Sequence, residues 1–182
     1  MYRTLAEAAA NCTRNIATGY GPVFSDRKAL GGAAILTRPE PLDEITRETE
    51  TGDPAERVAK LVKALKEPDC GTRVSAVCAL AKLGPASQEA VPALMEALED
   101  KDWVVRVAAI TALGGIGEGA RAAVPALVEA LEKEDVCASA TIALGRIGPA
   151  AKAALEPLAA LHKSKSGFVR WCAEEASRAI GR

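Results

Sequence analysis

Apolar residues return along this chain with a long, regular period. Val58, Val91 and Val124 are spaced 33 residues apart, and Leu155 follows 31 later. Leu61, Leu94, Leu127 and Leu158 stand three residues beyond each start. Each unit ends on an aliphatic–glycine pair: Leu83-Gly84, Ile116-Gly117, Ile147-Gly148 and Ile180-Gly181. Four matched starts and four matched stops define an internal repeat.

Within a unit the pattern predicts two helices. Val91, Leu94 and Leu98, and again Val124, Leu127 and Leu131, lie at helical spacing in the first. A polar turn follows, EDKD in the second unit and EKED in the third. Asp69, Asp102, Asp135 and Ser166 are the expected N-caps, whose side-chain oxygens accept a bond from an orphaned backbone N–H. The second helix then runs to the closing glycine, a residue suited to a left-handed stop. Counting back from Gly117, Val105, Ala108, Ala109, Ala112, Leu113 and Ile116 form one apolar stripe. No single unit can bury such a stripe, so the units must stack.

The array opens sharply at Asp53-Pro54-Ala55-Glu56, with a cap, a proline at the first helical position and an acid at the third. The units span about 54–86, 87–119, 120–150 and 151–182, giving an array over 53–182. The third is two residues shorter, and the deletion is placed in its inter-helix turn. In the fourth, Ser177 replaces the leucine of Leu80, Leu113 and Leu144, and Arg178 replaces the small residue of Ala81, Gly114 and Gly145. A polar outer face of that kind suits a terminal, capping repeat. Residues 1–52 read as an irregular or partly helical N-terminal extension. Leu5–Ile16 is a candidate helix, Lys28–Gly32 weakly echoes a unit end, and residues 43–53 resemble a linker.

Composition sharpens this picture. Nearly half of the 182 residues are hydrophobic (49%) but only 3% are aromatic, which suits an Ala/Leu-rich helical stack better than a sandwich of strands. The net charge of −1 gives no global case for nucleic acid or an anionic membrane as a partner. No secretory signal is evident, and no apolar run is expected to reach the ~20 residues of a membrane span. Cys12, Cys70, Cys78, Cys137 and Cys172 form no CxxC pair. They read as small hydrophobes of a reducing cytoplasm.

Periods near 33 also suit ankyrin and tetratricopeptide arrays, whose marker residues are absent. Ala90-Val91-Pro92-Ala93-Leu94, Val105-Arg106 and Ala112-Leu113-Gly114 instead resemble the short HEAT-like repeat, of the kind also found in phycobilisome lyase proteins. The resemblance covers about 54–182. It implies an all-α fold, a right-handed α-solenoid of about four stacked helix pairs, with the second helices lining its concave surface. The iron hydroxylases built on HEAT-like repeats carry repeated His-Glu pairs, which this chain lacks.

No catalytic, cofactor or metal constellation emerges. His162 is the only histidine, aligned with Leu65, Leu98 and Leu131, and is expected to be a partly buried packing residue. Arg73, Arg106 and Arg170 share one position, broken by Cys137, and with Asp69 and Asp102 suggest a structural Arg–Asp ladder. Gly114–Gly117 reads as helix termination rather than a phosphate loop. The other face of the second helices is unusually apolar. Trp103, Val107, Ile110, Ile142 and Trp171, edged by Arg106 and Arg146, are the candidate partner-binding residues. The expected function is a non-catalytic scaffold for another protein. The alternative is a lyase-like or chaperone-like subunit acting on a chromophore or protein substrate, with Cys78 or Cys137 as the reactive thiol. No cofactor is expected.

Overall fold

The computed structural model describes residues 53–181, and the expectations for residues 1–52 lie outside that range. The described residues form helices in a repeating order. Helix α1 (Pro54–Ala64) pairs with α2 (Cys70–Leu83). Then α3 (Val91–Glu96) precedes α4 (Trp103–Ile116), α5 (Val124–Ala130) precedes α6 (Cys137–Ile147), and α7 (Leu155–Leu161) precedes α8 (Gly167–Ile180). Each even-numbered helix packs against the next, α2 on α4, α4 on α6 and α6 on α8. The fold is an α-solenoid, as the period implies.

Local chemistry sets the helix starts. The Asp53 carboxylate accepts from the Ala55 N–H at 3.2 Å, with Pro54 opening α1. The Asp69 carboxylate accepts from the Thr72 N–H at 2.7 Å and its hydroxyl at 2.9 Å. Ser166 caps α8 through the Val169 N–H. Two expected caps differ. Asp102 occupies the N-cap of α4 but makes no capping bond, because its carboxylate is drawn to Arg73. Asp135 is not a cap at all. With two residues fewer in this unit, α6 gives up its first turn and begins at Cys137, and Val136 takes the cap position with no side-chain bond.

The first helix of a unit is also less simple than its periodicity suggests. Each pair of successive units is joined by a 3-10 segment, Gly84–Ala90, Gly117–Ala123 and Gly148–Ala154. Each segment bends at one residue before the α-helix follows: Ser87, Ala120 and Ala151. Pro92 and Pro125, in the first turns of α3 and α5, have no N–H and disfavour continuous α-helix through the preceding residues. Gly84, Gly117 and Gly148 have φ of 55, 70 and 71°, with ψ between −127 and −140°. These glycines therefore end the helices in a mirror-image extended conformation rather than a left-handed helical one, and other residues rarely adopt it.

The core is aliphatic. Leu61, Leu80, Leu94, Leu113, Leu127, Leu144 and Leu158 are all buried between the two layers of helices. Burying one such side chain stabilises by about 1.5–3 kcal/mol, and they belong to one continuous cluster that runs through the array, so stacking and folding are one process. Small residues set the closeness of the layer. A Cβ placed on Gly114 would lie 2.9 Å from the Ala143 Cα, so α4 and α6 nearly touch there. The continuous helical run Trp103–Ala130 is, contrary to the sequence expectation, long and apolar enough to span a bilayer by length and composition. It turns at Gly117, and 61% of its most apolar window is buried inside the array.

Candidate protein-interaction surface

The even-numbered helices run side by side, so matched residues form rows across them. One row is Val77, Ile110 and Thr141, and all three are sealed against the next helix. Ile110 is only 1% exposed and Val107 only 7%. Both were expected on the open face and neither is there, because α4 is flanked by α2 on one side and α6 on the other. Ile142 and Trp171 are half-buried and do reach the outside. Trp103 is 49% exposed.

A residue the sequence reading missed joins them. Phe168, one position into α8, is 45% exposed and stacks on Trp171 with ring centroids 6.2 Å apart and planes at 26°. The signal was available: an aromatic directly after the Ser166 cap and Gly167, three residues before another aromatic. All three aromatics of the described array lie on this layer of helices, and none is fully buried in the core.

The charged edge resolves into two kinds of residue. Arg73 and Arg106 are structural. Arg73 is buried, and all five of its N–H groups are used. It donates to Asp100 at 2.7 and 2.9 Å, to Asp102 at 2.6 Å, and to the carbonyls of Glu67 and Pro68 at 3.0 and 2.9 Å. Arg106 repeats the motif one unit on, donating to the Asp100 and Lys101 carbonyls and to the Asp135 carboxylate. The ladder thus joins Arg73 and Arg106 to the next unit's turn rather than to Asp69, which is occupied in capping. Arg106, expected to orient a partner, is already engaged. Arg170 keeps the carbonyl half, donating to Ser164 and Lys165. Arg146 is different: it is exposed and forms no ion pair among the described residues. Its Cδ lies 3.6 Å from where a Gly114 Cβ would stand, so the side chain crosses the seam between α6 and α4. Packing of the side chain along this seam removes part of its hydration and lowers the guanidinium pKa, although the residue as a whole is exposed.

The thiols of the described residues, Cys70, Cys78, Cys137 and Cys172, are free and poorly activated. Burial pushes the Cys78 thiol up, with Lys82 pulling the other way. Burial also raises Cys137, with Thr141 pulling the other way, and it raises Cys172, beside Cys137, to about 11. A nucleophilic cysteine requires the thiolate, which these surroundings disfavour. His162 is exposed rather than partly buried. Among the described residues, no three His, Cys, Asp or Glu side chains are grouped to hold a metal ion. A shallow open depression on the opposite layer is lined by Gln88, Glu118, Gly119, Arg121, Ala122 and Pro125.

Comparison with known proteins agrees with this geometry. Residues 58–137 match the family described as HEAT repeats. The chain is also similar to the crystal structure of an engineered protein, at 27% identity and a TM-score of 0.58, over 78% of this chain and 67% of that one. No curated protein matches. The described array is therefore an α-solenoid, and its residues 58–137, within the first three units, are similar to HEAT repeats.

Proposed function

We propose that this chain is a non-catalytic scaffold that binds another protein on the exposed face of α4, α6 and α8. One observation carries the reading: the aromatic side chains Trp103, Phe168 and Trp171 are placed at this surface while the core is built without aromatics. Aromatics bury large area when covered and are enriched where partners bind. The match to HEAT repeats supports it, since such repeats generally act as protein-interaction scaffolds. The free thiols fit a cytoplasmic setting. The lyase-like or chaperone-like alternative gains no support from Cys78 or Cys137, whose thiols are held protonated.

The test is the double variant Trp103→Glu/Phe168→Glu, which changes two exposed positions and leaves the core alone. Partners cross-linked to wild type in cells are expected to be lost from the variant while its helical circular dichroism is kept. A folded variant that retains the same partners at the same yield sinks the proposal.

A further inference from the structure

We infer that the row Lys82–Gly115–Arg146, across the ends of α2, α4 and α6, receives the carboxylates of an acidic, apolar-centred segment of a partner protein. This rests on the scaffold reading above and names the chemistry of what the surface holds. The argument begins with charge. Helices α2, α4 and α6 contain no Asp or Glu, and their only charged residues are Arg73, Lys82, Arg106 and Arg146. Arg73 and Arg106 are neutralised by Asp100, Asp102 and Asp135. Lys82 and Arg146 remain, both exposed, with no ion pair among the described residues. Glu174 and Glu175 of α8 both pair with Arg178, and Glu118, in the segment that follows α4, forms no ion pair with either cation.

Both cations stand in the last turn of their helices, where the helix dipole favours them. The dipole does not account for the residue between them. Gly114 is required by Ala143, but its neighbour Gly115 is not: its φ is ordinary, and an added Cβ would meet only the Ala81 carbonyl oxygen, at an unstrained 3.5 Å. A glycine inside a helix costs stability, and packing offers no return for this one. It leaves a notch between two cations that have no ion pair among the described residues, where a partner backbone can approach closely.

The geometry limits the partner. Packed helices lie 8–10 Å apart, so two cations two helices apart are separated by about 16–20 Å. An extended segment covers that distance in about five or six residues. Its central apolar side chains would then lie over α4 at the Gly115 notch, with Ile142 one turn from Arg146 on α6. Each carboxylate would gain a charge-assisted bond, bidentate at Arg146. Two cations are too few for nucleic acid, whose binding proteins neutralise about 6–10 phosphates.

The probe is a library of random sixteen-residue peptides displayed on phage and selected on the immobilised full chain. The expected winners carry two carboxylates about five or six residues apart around apolar residues. As synthetic peptides they should bind Lys82→Glu/Arg146→Glu at least tenfold more weakly than wild type, and their Lys-substituted versions should recover affinity for that variant. The milder Lys82→Gln/Arg146→Gln pair should show the same loss if the charge reversal perturbs folding. Winners without an acidic excess, or with equal affinity for the charge-altered proteins, overturn the inference. If those winners still depend on Trp103 and Phe168, the scaffold reading survives alone; if they depend on neither, both fall. Failure to enrich any peptide also overturns the inference. Two other occupants are separable. A dimer dissolved by the selected peptides would assign the row to a second copy. Tighter binding by a synthetic peptide of residues 40–50, EPLDEITRETE, would assign it to this chain itself.

Discussion

Arg73 holds Asp100 across the boundary between two repeats, 27 residues away, through two near-parallel bonds of 2.7 and 2.9 Å. The same guanidinium closes the turn of its own unit through two carbonyls. One side chain therefore fixes both the bend within a unit and the register between units. Lysine cannot reproduce this, because its ammonium lacks the planar fork. Arg73→Lys should lower stability by about 2–3 kcal/mol, and Arg73→Met by about 3–5 kcal/mol because Asp100 and Asp102 are left facing each other. Urea titration followed by circular dichroism measures both. A loss below about 0.5 kcal/mol for Arg73→Met would show that the ladder is incidental.

The ladder also predicts a pH dependence. Burial works to raise the Asp100 pKa, but the Arg73 hydrogen bonds, the Asp102 N–H and the Arg73 charge hold it below the usual carboxylate value. Hydrogen bonding from Arg106 does the same for Asp135. A folded-state pKa below the unfolded value of about 3.9 means the stabilisation is present above that pH and is lost as pH falls through the folded value. The urea midpoint should therefore hold through neutral pH and drop below about pH 4. Asp100→Asn should start lower at neutral pH and fall less steeply in acid. An identical slope in variant and wild type would exclude Asp100 as a source.

Gly114 and Gly115 are adjacent, yet their alanine variants should move in opposite directions. At Gly114 the new Cβ would meet the Ala143 Cα at 2.9 Å and its Cβ at 3.1 Å, so α4 and α6 must separate. Overpacking of this kind costs about 1–3 kcal/mol, more than the gain in helix propensity. At Gly115 the space exists, and alanine should stabilise by about 0.5–1 kcal/mol. Thermal melts of the two variants read the contrast directly. Matched shifts of the same sign would mean that the α4–α6 approach is not as close as described.

The sequence made the array legible because every unit repeats the same physical problem. The leucine rows, the closing glycines and the recurring arginine were all visible as periods; the leucines are buried as expected, whereas the glycines stop their helices in a different conformation and Arg73 and Arg106 pair with the next unit's turn. The exposed surface was less legible for a physical reason. Periodicity shows which residues share a helix face, but not which flank a neighbouring helix covers. Ile110 looked free on an isolated helix and is sealed in the stack. Asp102 looked like a cap, and a long-range arginine outcompetes its own helix for the carboxylate. Gly115 looked like part of a helix stop, and only the positions of Ala143 and Ala81 separate it from Gly114.

Ser177 occupies the leucine row of the fourth unit, and its hydroxyl oxygen is buried with no hydrogen-bond partner among the described residues. Leu80, Leu113 and Leu144 are fully buried at the matching positions. A desolvated, unpaired hydroxyl costs about 1–3 kcal/mol, so Ser177→Ala should stabilise by about 1 kcal/mol, or roughly 2–4 °C in Tm. Where the gain appears is as informative as its size. In a stacked array the end unit opens more readily than the interior, and a better-packed α8 should close that opening first. Hydrogen exchange should therefore slow selectively in α7 and α8 of Ser177→Ala, with α2 and α4 unchanged. A uniform slowing would mean that the array opens as one body. A variant less stable than wild type would mean that the hydroxyl has found a partner, and that Ser177 is fitted to its place in α8.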